Sequence, residues 1–560
     1  MSKEISPLQK ARAEYQPKLT GVFSEGIDKV KLQVGEYTES VKDSDKIKAI
    51  FPNIYGSPVV KFVPGASGRK DSILNVGVVL SGGQAPGGHN VIAGIFDALK
   101  NANNQNKLYG FLGGPSGITD CKYVEITQDI IDEYRNTGGF DMIASGRTKL
   151  EKEDQFEQCL ENMKKLGISA LVIVGGDDSN TNAALLAEYF ARNNTGIQVI
   201  GVPKTIDGDL KNQWVEASFG FDSCSKTYSE LIGNLLRDAN SARKYWHFIR
   251  LMGRSASHIA LECALQTQPN VTLISEEVAH KQMSLKDVVD TLIDAIIKRS
   301  EQGKNFGIAL IPEGVIEFIP EMKRMITSLN DSLVNHQETF NELRTLVERI
   351  EFVMQELNEE DERVFSSLPM IIQEQLLEDR DPHGNVQVSK IETEKLLIMM
   401  IKKRLDHMKQ KGTFKGKFSP VAHFFGYEGR CCPPSNYDAD YTYSLGYNAV
   451  ALILNNLTGY MSAIQKTIKP AKDWQPAGIP LTMMMNLERR HGKDKPVIQK
   501  ALVDLDGQPF KKLIENREQW MMNEDYLYPG PIQYWGPSEV CDLPTKTLQY
   551  EHAKLLAGKV

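Results

Sequence analysis

The 560-residue chain lacks several features that define common classes of protein. Its longest apolar runs, VIAGIF and AVALIL, fall far short of the roughly 20 residues that a transmembrane helix needs. The beginning, MSKEISPLQKARAEYQ, contains no apolar signal segment. The formal net charge of −7 gives no general attraction to nucleic acid. We therefore expect a cytoplasmic protein with neither a membrane nor a nucleic-acid partner.

Two further absences narrow the chemistry. The seven cysteines include no CxxC pair, which indicates reduced thiols rather than a disulfide framework. Neither GxGxxG nor the Walker pattern occurs, which disfavours a dinucleotide site and an ordinary nucleotide P-loop. The remaining composition, 41% apolar and 24% charged, is that of a globular protein with two substantial domains or three smaller ones.

The fold class follows from the alternation of strand-like and helix-like segments. NVGVVL, SALVIVGG and IQVIGV are short apolar strands separated by amphipathic helices. This alternation is typical of a doubly wound parallel sheet, in which ligands bind beyond the carboxyl ends of the strands. The same pattern returns from WHFIRL to FGIALIPEG. The sequence thus predicts an α/β protein with two doubly wound, Rossmann-like parallel-sheet domains.

Two segments fall outside this alternation. Residues 1–70 are polar and are interrupted by stretches that contain proline and glycine. We expect them to form an N-terminal extension laid over a core. Residues 321–412 predict a helical insertion that serves packing, a subunit contact or regulation. Its apolar residues recur at steps of three and four: Phe340, Leu343, Leu346, Val347, Ile350, Val353, Met354 and Leu357.

Two predicted strands end in glycine-rich loops. LSGGQAPGGHN contains four glycines, which let backbone amides approach an anion, although a tight structural turn explains them equally well. GGDDSNT places Asp177 and Asp178 in a glycine turn before a helix. Asp177 is a hard oxygen ligand suited to Mg²⁺, whereas an isolated pair of acids more often caps a turn.

A third strand end, PKTIDGD, places a cation, a hydroxyl and two carboxylates within seven positions. Phosphoryl transfer to a sugar alcohol needs a carboxylate base, a metal between phosphates and cations on the developing charge. Asp207, Asp177 and Lys204 can fill these three roles. Asp209 either raises the pKa of Asp207 as a nearby like charge or caps the turn.

Further charged and polar residues lie in loops between predicted elements. Arg147 in ASGRTK and Arg254 in LMGRS can reach phosphate oxygens, although a lone loop arginine is usually a surface residue. Glu313 in IPEG suits sugar hydroxyls, and Tyr427 with Arg430 in FGYEGR suits a distal phosphate.

Taken in order, GGQAPGG, GGDD, PKTIDGD, MGR, PEG and GYEGR closely resemble the phosphofructokinase family, specifically its long pyrophosphate-dependent branch. The resemblance implies reversible transfer of a phosphoryl group from pyrophosphate to the C1 hydroxyl of fructose 6-phosphate, with Mg²⁺ as cofactor. Its products are fructose 1,6-bisphosphate and phosphate. The alternatives are a non-catalytic regulatory subunit, disfavoured by the retained Asp207, Asp177 and Lys204, and an ATP-dependent phosphofructokinase, disfavoured by the acid at position 178.

The resemblance also assigns residues. It implies catalytic roles for Asp207, Lys204, Asp178 and Arg254, and a Mg²⁺ ligand in Asp177. The implied substrate contacts are Gly82, Arg147, Thr205, Ile206, Asp209, Lys244, Tyr245, Met252, Gly253, Glu313, Tyr427, Glu428, Gly429 and Arg430. Gly82 would contact pyrophosphate and Arg147 the donor side. Lys244 and Tyr245 align with positions that reach the sugar phosphate of a neighbouring subunit, which implies a homodimer with shared sites.

Donor choice has its own expected determinants. ATP-using relatives have glycine at the positions of Asp178 and Lys204, so the Asp178 carboxylate would occupy the place of the nucleotide α-phosphate. Lys204 would stabilise the leaving phosphate. One departure from those relatives is Val421, which replaces an arginine, and Lys417 is the candidate substitute.

The resemblance also names the predicted domains. The extension covers 1–70, and the phosphoryl-donor domain covers 71–217 plus about 434–560. The fructose 6-phosphate domain covers 218–433 and contains the insertion at about 321–412.

Overall fold

The computed structural model describes residues 5–65, 73–378, 386–490 and 493–556. The chain divides into two compact units. The first consists of Met1–Thr227, Tyr427–Ala501 and Ile532–His552, and the second of Tyr228–Gly426, Leu502–Pro531 and Ala553–Val560. Residues 1–70 therefore belong to the first unit, and Leu502–Pro531 groups with the second unit although the sequence places it in the donor domain.

The first unit contains a ten-stranded sheet. Its strands are β1 (Val30–Tyr37), β2 (Pro58–Pro64), β3 (Asn75–Leu80), β4 (Lys107–Phe111), β5 (Tyr123–Glu125), β6 (Ala170–Gly175), β7 (Gln198–Thr205), β8 (Phe219–Gly220), β13 (Tyr460–Gln465) and β14 (Gln475–Pro480). The order is β1-β2-β14-β13-β7-β6-β3-β4-β5, with β8 paired to β7. A separate antiparallel hairpin joins β15 (Met485–Arg490) to β16 (Lys493–Ile498).

The centre of this sheet is parallel, as predicted, because β13, β7, β6, β3 and β4 all run in one direction. Its two edges are antiparallel, which the strand and helix alternation did not indicate. β1 and β2 come from the predicted extension. That segment is therefore not simply laid over a core: its strands form one edge of the sheet.

Helices surround the central strands of the first unit. They are α1 (Pro7–Ala13), α2 (Ser44–Ile50), α3 (Gly88–Ala102), α4 (Ser116–Thr119), α5 (Gln128–Tyr134), α6 (Glu153–Lys165), α7 (Asp177–Arg192), α19 (Tyr427–Cys431), α20 (Asn436–Leu454), α22 (Ser538–Cys541) and α23 (Lys546–Glu551). α3 and α20 pack closely because both have glycine at the contact: a Cβ at Gly94 would lie 2.2 Å from the Tyr443 carbonyl oxygen, and one at Gly446 would lie 2.1 Å from that of Val91.

The boundary between the units falls within α8 (Phe221–Ala242). The second unit contains a fully parallel sheet in the order β10-β11-β9-β12. Its strands are β9 (Trp246–Leu251), β10 (Val271–Thr272), β11 (Gly307–Pro312) and β12 (Pro420–Phe425). Its helices are α9 (His258–Thr267), α10 (Ser275–His280), α11 (Leu285–Glu301), α12 (Val315–Phe318), α13 (Pro320–Asn335), α14 (Gln337–Glu342), α15 (Leu346–Glu356), α16 (Glu359–Ser367), α17 (Met370–Leu377), α18 (Thr393–Gln410), α21 (Gln508–Met522) and α24 (Ala553–Leu556).

The predicted helical insertion is helical, and it packs against the core of the second unit. Val353 and Leu357 are buried in one apolar cluster with Trp246 and Phe248 of β9. The predicted apolar periodicity does not form a single face, however, because α14 ends at Glu342 and extended backbone separates it from α15, which begins at Leu346. The Thr345 hydroxyl caps α15, and Val347 in its first turn is exposed. Within the described ranges, no helix is long and apolar enough to cross a membrane.

Candidate active site

The site begins at the carboxyl edge of the central parallel strands in the first unit. β3, β6 and β7 are neighbours, all are almost wholly buried, and each ends in one of the three loops singled out from the sequence. Because parallel strands end at the same edge, the loops after Leu80, Gly175 and Thr205 lie together. The Ser179 hydroxyl donates to the Ser81 hydroxyl oxygen at 2.8 Å and thereby joins the first two loops.

The glycine loop after β3 leaves room for cationic side chains. Gly82 has φ +85°, and a Cβ there would lie 3.1 Å from the Nζ of Lys204. A Cβ at Gly83 would lie 3.2 Å from Arg430 Nη1 and 3.8 Å from Arg147 Nη2. The Gly82 amide donates to the Gly146 carbonyl at 2.9 Å, which holds the loop beside the segment that contains Arg147. The absence of side chains on the loop therefore leaves three cations beside its backbone.

Lys204 is the innermost of these cations. Its backbone continues the β7 ladder, where it pairs with Phe219 of β8, and its side chain is almost fully buried. Burial and the neighbouring Arg430 lower the pKa of Lys204 to about 8, although the carboxylates of Asp207 and Asp177 pull in the opposite direction. The lysine beside the glycine loop therefore loses its proton at a lower pH than an ordinary lysine does.

Arg430 lies beside the glycine loop rather than apart from it. Its Nη1 donates to the Gln84 carbonyl at 3.3 Å, and the guanidinium faces the missing side chain of Gly83. The sequence resemblance implies a distal sugar phosphate for this arginine, whereas within the first unit it lies beside the glycine loop after β3. Tyr427, Glu428 and Gly429 precede it in α19, where Tyr427 is largely exposed and Gly429 is buried.

The two acids after β6 lie in the first turn of α7, not in the preceding turn as the sequence suggested, because Gly176 is the N-cap. Negative charge is favourable at that position, where the unpaired N–H groups of the helix give a positive potential. The Asp178 carboxylate is about half exposed and forms an ion pair with Lys149 at 3.2 Å. Asp177 is more enclosed, with a side chain that is 25% exposed.

The loop after β7 supplies Asp207 and Asp209. The Asp207 amide donates a hydrogen bond to the Thr205 hydroxyl oxygen at 3.0 Å, which fixes the turn. Ile206, between these two residues, is fully buried. The Oδ1 atom of Asp207 is buried and has no hydrogen-bond partner among the described residues. Burying a carboxylate oxygen without a hydrogen-bond partner costs free energy of folding, and a catalytic or binding role is one reason why a protein retains such an atom.

Asp209 is buried beside Asp207. Burial, together with the like charges of Asp207 and Asp177, raises the pKa of Asp209 to about 6, against the opposing effect of Lys500. The sequence predicts that Asp209 raises the pKa of Asp207. The structure shows the reciprocal effect, because Asp209 is the more deeply buried of the two acids.

The remaining predicted residues belong to the second unit. Met252, Gly253 and Arg254 follow β9, where Gly253 has φ +119° and the Met252 amide donates to the Phe425 carbonyl at 3.3 Å. Arg254 is partly exposed, and its Nη2 forms an ion pair with Glu317 at 3.2 Å. Glu313, which follows β11, is buried. Both loops extend from the carboxyl ends of parallel neighbours in the second sheet.

Four other residues named from the sequence lie elsewhere on the second unit. Lys244 and Tyr245 precede β9, with the Lys244 ammonium 4.8 Å from the centre of the Tyr245 ring and the Lys244 side chain exposed. Lys417 is exposed in the segment before β12, and Val421 is a member of that strand. Lys417 is therefore a surface residue in this unit.

Residues 75–453 match the sequence model of the phosphofructokinase family. This span contains every one of the predicted site residues. The chain belongs to the phosphofructokinase family. Its ordered motifs, rather than its composition, are what place it there.

Close relatives of this phosphofructokinase share nearly its whole length. It is 56% identical to the pyrophosphate–fructose 6-phosphate 1-phosphotransferase of Porphyromonas gingivalis, over 98% of this chain and 99% of the relative. It is 53% identical to the protein of the same name from Treponema pallidum, over 98% and 97%. A crystal structure titled pyrophosphate-dependent phosphofructokinase, from Nitrosospira multiformis, shares the fold at a TM-score of 0.54 and 16% identity, covering 84% of this chain and 96% of that one.

Two lysines of this phosphofructokinase were missed at the sequence level. Lys149 follows Arg147 by two positions in the ASGRTK loop, so its neighbourhood already pointed to it. Lys500 follows β16, outside every motif, and its Nζ lies 3.6 Å from carboxylate oxygens of both Asp177 and Asp209. Burial alone would lower the pKa of Lys500, but the surrounding acids raise it above its ordinary value.

Proposed function

We propose that this chain transfers a phosphoryl group from pyrophosphate to the C1 hydroxyl of D-fructose 6-phosphate, reversibly, in glycolysis and gluconeogenesis. One observation carries the proposal: a glycine loop, the buried cation Lys204 and the half-buried Asp207, whose Oδ1 atom is buried, meet at one sheet edge of the first unit. The names of the close relatives support the same donor and acceptor.

In this proposal Asp207 is the general base. Its unpaired Oδ1 accepts the proton of the C1 hydroxyl while the C1 oxygen bonds to the transferred phosphorus. The bond between that phosphorus and the bridging oxygen of pyrophosphate breaks, and the departing phosphate takes up the charge. Lys204 stabilises this charge from beside Gly82, and Arg147 and Arg430 neutralise the remaining pyrophosphate oxygens.

Asp177 is the proposed Mg²⁺ ligand. Among the described residues there is no group of three or more His, Cys, Asp or Glu side chains that could hold a metal ion. A partly exposed carboxylate at a phosphate site nevertheless fits Mg²⁺, which usually takes one or two carboxylates together with substrate phosphates and water. When bound, the ion would neutralise charge on the pyrophosphate oxygens.

In the first unit, the proposed sugar-phosphate contacts lie in two segments. Thr205, Ile206 and Asp209 belong to the loop that contains Asp207, and Tyr427, Glu428 and Gly429 to the segment before Arg430. In the second unit, Met252, Gly253, Arg254 and Glu313 follow two adjacent parallel strands, the position at which such sheets bind ligands. Arg254 would serve the transferring phosphoryl group, and Glu313 the sugar hydroxyls.

The test is the initial rate of fructose 1,6-bisphosphate formation from fructose 6-phosphate and Mg²⁺, measured in parallel with pyrophosphate and with ATP. We expect product with pyrophosphate only. Product with ATP alone would contradict the donor assignment, and no product with either donor would favour a non-catalytic subunit.

The pH dependence of the reaction should report Lys204. Its pKa of about 8 in the free protein means that the cation predominates below pH 8 and is lost as the pH rises through that value. We therefore expect kcat/KM for pyrophosphate, which reports the free enzyme, to fall above pH 8 by about tenfold per pH unit. The Lys204→Arg variant retains its charge throughout and should lack this fall. An identical fall of kcat/KM in the wild type and in Lys204→Arg would show that a group other than Lys204 causes it.

Shared sites in a homodimer are part of the proposal, supported by the exposure of Lys244 next to Tyr245. Asp207→Asn and Lys244→Ala chains should each be nearly inactive alone. After subunit exchange, hybrid dimers contain one site with both native residues, so about a quarter of the wild-type activity should return. Activity that stays at the level of the separate variants would show that Lys244 acts within its own chain or not at all.

A further inference from the structure

Lys500 is placed at the acidic side of the proposed donor site by backbone contacts on both sides. The Gln499 amide donates to the Met484 carbonyl at 2.9 Å, and the Ala501 amide donates to the carbonyl of Asp209 at 2.7 Å. The segment after the β15–β16 hairpin is thereby held against the loop that contains Asp207 and Asp209. The backbone position of Lys500 is consequently set by the fold, while its side chain is 37% exposed.

The ammonium group of Lys500 lies between two carboxylates. Its Nζ is 3.6 Å from Asp177 Oδ2 and 3.6 Å from Asp209 Oδ2. Asp209 is buried and Asp177 is one-quarter exposed, so this charge pair is screened less than one at the open surface. Asp177 is also the proposed ligand of Mg²⁺. The same carboxylate therefore faces two cations when the metal is bound.

Two cations on one carboxylate repel each other, and Mg²⁺ has twice the charge of the ammonium group. Pyrophosphate relieves this repulsion because it brings several negative charges into the same space. The affinity of the metal should then depend more strongly on the presence of pyrophosphate when Lys500 is there to repel the metal.

Resting on the proposed function, we propose that Lys500 is an internal counter-cation of Asp177 and Asp209. It neutralises the acidic cluster in the substrate-free protein, weakens metal binding there, and couples entry of the metal to entry of pyrophosphate. Lys500 is a positioning residue in this scheme, since it acts on the carboxylates and not on the reacting atoms.

The test measures Mn²⁺ binding to the full-length chain by electron paramagnetic resonance without pyrophosphate, because Mn²⁺ shares the carboxylate preference of Mg²⁺. Lys500→Met should bind Mn²⁺ at least about tenfold more tightly than wild type, a change within the usual range of coupling between sites. Lys500→Arg retains the charge and should bind as wild type does. Lys495→Met is the matched control, since Lys495 lies in the adjoining strand β16 and pairs with Glu151.

Mn²⁺ affinity that is unchanged or weaker in Lys500→Met would overturn the proposal. Lys500→Gln provides a second neutral variant if the first fails to fold, as judged by circular dichroism. A raised KM for pyrophosphate with unaltered Mn²⁺ affinity would make Lys500 a pyrophosphate ligand instead. The binding readout is independent of turnover, so a protein that proves inactive with pyrophosphate would defeat the proposed function without deciding the role of Lys500.

Discussion

Replacing Asp207 by asparagine is expected to lower kcat for fructose 1,6-bisphosphate formation by about a hundredfold to ten-thousandfold, the usual contribution of a positioned general base. The amide retains the shape of the side chain but cannot accept the hydroxyl proton. Since Oδ1 of Asp207 has no hydrogen-bond partner among the described residues, the exchange breaks no hydrogen bond of that atom within this part of the chain. The fold should therefore persist, and KM for pyrophosphate should change little.

The measurement is steady-state kinetics in both reaction directions with a matched control. Asp154→Asn alters an exposed acid in the first turn of α6 in the same unit and should leave kcat unchanged. If kcat of Asp207→Asn falls by less than tenfold, Asp207 is not the general base. In that event Asp209, whose raised pKa of about 6 already suits proton transfer, would become the leading candidate.

The double variant Asp178→Gly, Lys204→Gly is expected to exchange one phosphoryl donor for the other. Two like charges about 4 Å apart repel by roughly 1 kcal/mol in water and roughly 4 kcal/mol at an effective dielectric constant near 20. Asp178 is half exposed and paired with Lys149, which favours the smaller value. We therefore expect ATP-supported turnover to rise by about fivefold, in line with 1.4 kcal/mol per factor of ten.

Pyrophosphate-supported turnover should fall in the same variant by about a hundredfold to a thousandfold, as when one preorganised charge donor is removed from a transition state. Parallel assays with ATP and pyrophosphate give both numbers, and Asp154→Gly controls for the loss of an exposed helix-terminal acid. Because Lys204 is buried within β7, circular dichroism must first show that the variant is folded. A folded variant with no gain at all with ATP would refute this account of donor choice.

The fold was largely readable from hydrophobic patterning. Each of the buried strands Asn75–Leu80, Ala170–Gly175 and Gln198–Thr205 contains a continuous apolar run, the pattern of parallel strands covered on both faces. Such runs are local in the sequence and need no knowledge of distant residues. The antiparallel strands β1, β2 and β14 were not readable, because an antiparallel strand is defined by its partner more than by its own composition.

The site followed the same division. Glycine loops and acids at the ends of neighbouring parallel strands could be grouped from the sequence, because parallel topology itself brings those ends together. The orientation of Arg430 toward Gly83 could not be predicted, since it depends on how the segment from Tyr427 packs against the glycine loop. The lowered pKa of Lys204 could not be predicted from the sequence either, because it depends on burial and on the nearby Arg430.

By itself, the sequence determined the α/β architecture, the family, and the residue types available for phosphoryl transfer. Only the tertiary structure decided which charged side chains lie close to one another. It placed Lys500 between Asp177 and Asp209, and Lys149 against Asp178, although the sequence assigned a role to neither lysine. The physical reason is that electrostatic energy depends on distance and burial, which are fixed when segments far apart in the chain pack together.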